Sequence, residues 1–321
     1  MTAGKVLMTA LKILVACLVF ALCLVVGGAL SGLHKIGQQA PPAQQAISSE
    51  PQAAGGSQAP QMPENLLLTF LIFSVCAGVV LSYLILRSSW HGWPLVGAIS
   101  VGMYGASTVG PQLDSVFFLS NKLPRGLIQA LFLQGAIATA LFSPLAVLLL
   151  GKWRAVSGAP AFPRRAQMRA TSAAWRLALL VVAFVVLYMF FGYYVAWQSP
   201  AVRQYYGGQQ YLSFYATLKG NWNYHRLIYP FQVFRALVYI ACLYPLVRML
   251  RVARWEMVLA MALFLSVWTT ALLLPNSMMP ASVAHTHLWE TLGFSLVFGA
   301  LAGWLLTPPQ QAVTASDSAA S

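Results

Sequence analysis

Eight stretches of roughly twenty apolar residues govern what this chain can fold into. Each is long enough to cross a bilayer as a helix. Lipid offers no partner for a bare N–H or C=O, and a helix satisfies its own, so the expected class is all-α: a polytopic transmembrane helix bundle. Composition agrees: 59% of residues are hydrophobic and 8% charged, where a soluble domain carries about a quarter charged residues.

Residues 1–30 read as the first transmembrane anchor, with its apolar run from Ile13 to Leu30. Ala29 and Ser31 would suit a signal-peptide cut, which would leave seven crossings, but the run is longer than a signal core. Residues 31–63, rich in Gln, Ala and Pro, read as a disordered exterior loop. Residues 64–150 hold crossings two to four: Glu64 to Leu86, Pro94 to about Asp114, and Gly126 to Leu150. Residues 151–176 form a basic cytoplasmic loop with six Lys or Arg and no acid. Residues 177–306 hold crossings five to eight: Leu177 to Trp197, Tyr229 to Val247, Glu256 to Leu274, and about His287 to Leu306. Between the fifth and sixth lies a tyrosine-rich exterior loop, 198–228, expected to lie on the membrane surface. Residues 307–321 are a polar cytoplasmic tail.

With eight crossings and the N-terminus inside, twelve of the nineteen basic residues fall on one side and six on the other; Arg235 is within a crossing. This positive-inside bias places both termini in the cytoplasm of a bacterial-type inner (plasma) membrane. It also accounts for the net charge of +13 without nucleic acid, because the basic residues sit in loops and form no stripe. The partner implied is membrane lipid. All four cysteines lie in apolar segments and read as small packing residues.

The loops repeat in length. Those of the first half are about 33, 7 and 11 residues long, and those of the second about 31, 8 and 12. Phe70, Phe73, Tyr83 and Arg87 recur at one offset as Phe231, Phe234, Tyr244 and Arg248. The pattern raises two four-helix halves inserted in parallel. Small residues at four-residue steps mark close helix crossings: Ala98, Gly102, Ala106 and Gly110, then Ser295, Gly299 and Gly303.

The candidate site lies at the outer ends of these helices. Asp114 and Glu290 are read as the two acids at membrane depth, and Arg235 as the one cation. Ionisable groups there are costly and need a partner or a task. Gln232 and Tyr239 share the Arg235 face by i,i+3 and i,i+4 spacing, and His287 lies one turn from Glu290. Depth alone therefore predicts a polar cluster of Asp114, Arg235, His287, Glu290, Gln232 and Tyr239. A metal held by His285, His287 and Glu290 is the alternative; it requires a non-helical start, since i,i+2 side chains face opposite sides of a helix. No cofactor is predicted. The leading function is transport, with a non-catalytic assembly subunit and an outer-leaflet intramembrane enzyme as alternatives.

Overall fold

The computed structural model describes residues 3–37, 65–120, 123–155, 169–207, 210–275 and 279–308. Most of the 31–63 loop, most of the 151–176 loop and nearly all of the tail lie outside these residues. The described residues are helical, with no strand among them and one isolated β-bridge. Seven helical spans are long and apolar enough to cross a membrane. They are α1 (Ala3–Leu30), α3 (Leu66–Arg87), α6 (Leu127–Leu149), α7 (Ala170–Phe191) with a following π turn, α10 (Ile228–Met249), α11 (Arg254–Val267) with a following 3-10 turn, and α12 (Ala281–Leu306). An eighth helical run, residues 92–119, is split by a π turn at Gly105–Val109 into α4 (Gly92–Tyr104) and α5 (Gly110–Leu119). Short helices α2 (Leu33–Gly37), α8 (Pro200–Tyr206) and α9 (Phe214–Tyr224) lie in the connections. The chain is a multi-pass helical membrane protein.

The helices are inverted relative to those of a soluble bundle. On α1 the exposed stripe is Leu7, Leu11, Leu14, Leu18, Leu22 and Val25, while Ala16, Cys17, Phe20, Cys23 and Gly27 face inward. Large apolar side chains at helical spacing meet lipid, and small ones let backbones approach. Gly78 packs on Cys17, where an added Cβ would lie 2.7 Å from the cysteine Cα. Gly299 and Gly303 of α12 press on the α11 backbone: a Cβ at either would stand 2.5 Å from the Met261 carbonyl oxygen or 2.7 Å from that of Met257. Between the halves, Trp268 packs against Phe20, Phe73 and Phe264.

The two halves make the same packings. In the first, α1 lies against both α3 and α6, and α4 against α6; in the second, α7 lies against both α10 and α12, and α11 against α12. Across the middle, α3 meets α11 and α10 meets α4, a reciprocal exchange. The offset from Phe70 to Phe231 is 161 residues, which makes Ser88 equivalent to Met249 and Ser89 to Leu250. These segments meet: Ser88 and Leu250 form the antiparallel bridge, and the Ser89 N–H donates to the Met249 carbonyl at 2.8 Å. The pairing maps onto itself when the halves are exchanged, the form that a local two-fold axis would give.

Helix ends sort into two faces. One, the basic end, gathers Arg87, Lys152, Arg176, Arg248, Arg251 and Arg254. There the Lys152 ammonium donates to the Ser88 carbonyl at 2.8 Å, and Arg87 pairs with Glu256 at 2.5 Å, with the Tyr83 hydroxyl donating to the same carboxylate at 2.7 Å. The opposite face carries α8 and α9 and is the tyrosine-rich end.

Candidate polar site at the tyrosine-rich end

Arg235 stands seven residues into α10, about 10 Å from its end at 1.5 Å per residue. Its side chain is 7% exposed, and the guanidinium donates to Asp114 through Nη2 and to the Gln232 Oε1 at 2.8 Å through Nη1. Phe184, Tyr188, Phe231 and Tyr239 surround it with ring centroids 5.7–6.0 Å away. Rings supply their negative faces to a cation that has left water. Gln232 is wholly buried.

Asp114 is delivered by an irregular helix. Pro111 lacks an N–H and its ring crowds the preceding turn, which would break a regular helix. The π turn at Gly105–Val109 widens the backbone just before it, and the helix continues to Leu119. The widening also alters the small-residue stripe. The contacts to α10 fall at Gly102 on Leu246, Gly105 on Cys242 and Gly110 on the Tyr239 ring and hydroxyl, not at four-residue steps throughout. Phe117 stacks on Phe231 at 4.0 Å beside the ion pair.

The second pair lies on α12. His287 Nδ1 and Glu290 Oε2 are 2.5 Å apart, and both side chains are largely buried. Both groups lie within electrostatic reach of Asp114. Glu290 is seated against α7 where a second π turn, Gly192–Ala196, begins; a Cβ on Gly192 would lie 3.6 Å from its Oε1. At the corresponding end of the first half, Gln134 of α6 lies on Gly27 and Gly28 of α1 and donates to the Leu24 carbonyl at 3.5 Å.

The tyrosine-rich loop caps the site. Val202 of α8 is fully buried against Ala196 and Val283, and the Tyr206 ring meets His287 edge-on at 5.8 Å. Burial holds the Tyr206 hydroxyl above the ordinary phenol range, so it stays protonated. Arg203 anchors the loop by donating to the Trp197 carbonyl at 2.7 Å. In contrast, α9 buries no residue and exposes Tyr215, Trp222 and Tyr224.

Several polar atoms here are sealed from solvent without a hydrogen-bond partner: Gln112 Oε1, Asp114 Oδ1, Gln232 Nε2, Arg235 Nε and His287 Nε2. A buried polar atom left unpaired costs about 1–3 kcal/mol, more when charged. The arrangement thus offers both donors and acceptors beside two ion pairs.

His285 is not brought to the cluster. It accepts from the Trp289 indole at 3.2 Å on another face of α12. The metal alternative required a non-helical start, but α12 begins at Ala281 and holds His285 and His287 on different faces. Among the described residues no group of three or more His, Cys, Asp or Glu is placed to hold a metal ion.

Sequence reasoning missed Tyr188, Gln112 and Tyr206. A lone tyrosine in the apolar run of α7 and a glutamine two residues from Asp114 were readable signals; Tyr206 arrives only because a loop folds back. It also missed Glu256, which reads as the edge of a crossing but joins α3 to α11. No family model, curated protein or solved structure matches the chain.

Proposed function

We propose that this is a transport-type protein of a bacterial-type inner membrane, with both termini in the cytoplasm and a polar-solute site near the outer face. The observation that carries the reading is the convergence of unpaired donors and acceptors on two ion pairs about 10 Å inside the bundle. Here Arg235 Nε and Gln232 Nε2 are free to donate and Asp114 Oδ1 and Gln112 Oε1 to accept. A small polar solute entering past α8 would exchange its water for these groups. The His287–Glu290 pair would pass a proton as the solute's charge arrives or leaves.

The test uses proteoliposomes loaded with a pH-sensitive dye and challenged with a panel of small polar solutes. Solute-dependent proton flux in the wild type, abolished in a correctly inserted Glu290→Gln variant, supports transport. Flux unchanged in Glu290→Gln removes the role assigned to this site.

A second reading has its own observation: the Asp114–Arg235 pair joins α5 to α10, one from each half. On that reading the pair is a lock within a non-catalytic assembly subunit. Exchanging the charges, as Asp114→Arg with Arg235→Asp, would then restore stability lost in either single variant.

A further inference from the structure

The basic end holds an arrangement that neither the ion pairs nor the proposed transport site uses. Arg176 of α7 donates through Nη1 to the Leu305 and Thr307 carbonyls at 3.0 and 3.3 Å. Arg254, the first residue of α11, donates through Nη2 to the Trp304 carbonyl at 3.0 Å. Two guanidiniums therefore converge on the last turn of one helix, α12. The partial negative charge of a helix C-terminus is only about half an elementary charge, too little to balance two cations.

Among the described residues no acid makes up the difference. Among the described residues three ion pairs form, and none includes Arg176, Arg251 or Arg254. Glu256, two residues from Arg254, is held by Arg87 and Tyr83. Donor capacity is also unspent: Arg176 Nε, Arg254 Nε and Arg251 Nη1 are shielded from solvent without a hydrogen-bond partner. The surroundings mark the depth. The Arg254 guanidinium stacks 3.6 Å above the Trp304 ring, and Arg176 lies 5.4 Å from that of Trp175. Trp175, Trp255 and Trp304 are each at least half exposed. Exposed tryptophans at helix ends sit at headgroup level.

We propose that Arg176 and Arg254 form a binding site for the phosphate of an anionic phospholipid headgroup. A guanidinium presents paired N–H donors that match two phosphate oxygens, and it remains charged at any physiological pH. The indole rings take the glycerol and upper acyl region while the arginines take the oxyanion. The site lies at the end of the molecule opposite Arg235, so it stands whether or not the transport reading does.

The experiment is lipid titration of delipidated, detergent-purified full-length protein, followed by native mass spectrometry and thermal melting. The probes are phosphatidylglycerol, phosphatidylcholine and inorganic phosphate. Phosphatidylglycerol should bind and raise the melting temperature, and the other two should not at equal concentration. Each of Arg176→Gln and Arg254→Gln should weaken phosphatidylglycerol about fivefold, the loss of one basic contact at a membrane surface. Arg154→Gln, an exposed arginine on the same face, is the control and should change little. Arg176→Lys and Arg254→Lys keep the charge but lose the paired donors, so they should bind more weakly than the wild type and more tightly than the glutamine variants. Equal binding of the two lipids, equal losses in Arg154→Gln, or lysine variants as weak as the glutamine ones would overturn the proposal. Full stabilisation by inorganic phosphate alone would overturn the headgroup as its source.

Discussion

The Asp114–Arg235 pair makes a directional prediction, because its partners are unequally buried. The Arg235 side chain is 7% exposed and the Asp114 side chain 37%. Asp114→Asn removes the negative charge and leaves a guanidinium among four aromatic rings, able neither to lose its proton nor to reach water. Breaking a buried pair from one side costs about 3–5 kcal/mol, and the lower figure applies since asparagine still accepts a hydrogen bond. Arg235→Met keeps an apolar stem among the rings and leaves a carboxylate that can be neutralised by a proton, which the guanidinium cannot, so its cost is about 1 kcal/mol. At roughly 2 °C per kcal/mol for a chain of this size, Asp114→Asn should melt about 6 °C lower than wild type and Arg235→Met about 2 °C lower. The double variant should lie near Arg235→Met, since no cation remains to be stranded. The assay is tryptophan-fluorescence melting in one detergent, with size-exclusion profiles confirming monodisperse protein. Arg235→Met as damaging as Asp114→Asn, or a double variant equal to the sum of the singles, would refute the argument.

Other outcomes follow from separate contacts. Gly303→Leu forces a side chain into the Met257 carbonyl and should cost about 1–3 kcal/mol in the same melting assay, whereas Gly97→Leu, with open space around it, should cost little. Glu256→Gln removes a charge from a pair whose arginine is half exposed, so it should lower stability by no more than about 1 kcal/mol and lose its effect in high salt. Burial, then the Lys152 charge, holds the His91 imidazole below its ordinary value of about 6.5. The folded state thus binds that proton less readily than the unfolded chain, and stability should fall as pH drops below about 6.5. Melting curves of His91→Asn against pH should lack that component.

Much of the fold was legible because lipid leaves few choices. The expected crossing Gly126 to Leu150 and the observed α6, Leu127–Leu149, nearly coincide, since a long apolar run has no other use. Boundaries failed where polar residues continue a helix: α12 begins six residues before His287, and α7 begins at Ala170. The third crossing runs on to Leu119 past Pro111, because a π turn absorbs the proline, and no hydropathy pattern encodes that. For the site, depth pointed to Asp114, Arg235, His287 and Glu290. Depth could not say that His287 turns toward Glu290 while His285 turns toward Trp289, because that is fixed by angle around α12.

The reciprocal pairing of Ser88–Ser89 with Met249–Leu250 bears on ancestry. Two copies of a four-helix chain, entering the membrane in one orientation, can meet around such an axis as a homodimer. An even number of crossings lets them fuse end to end without turning either over.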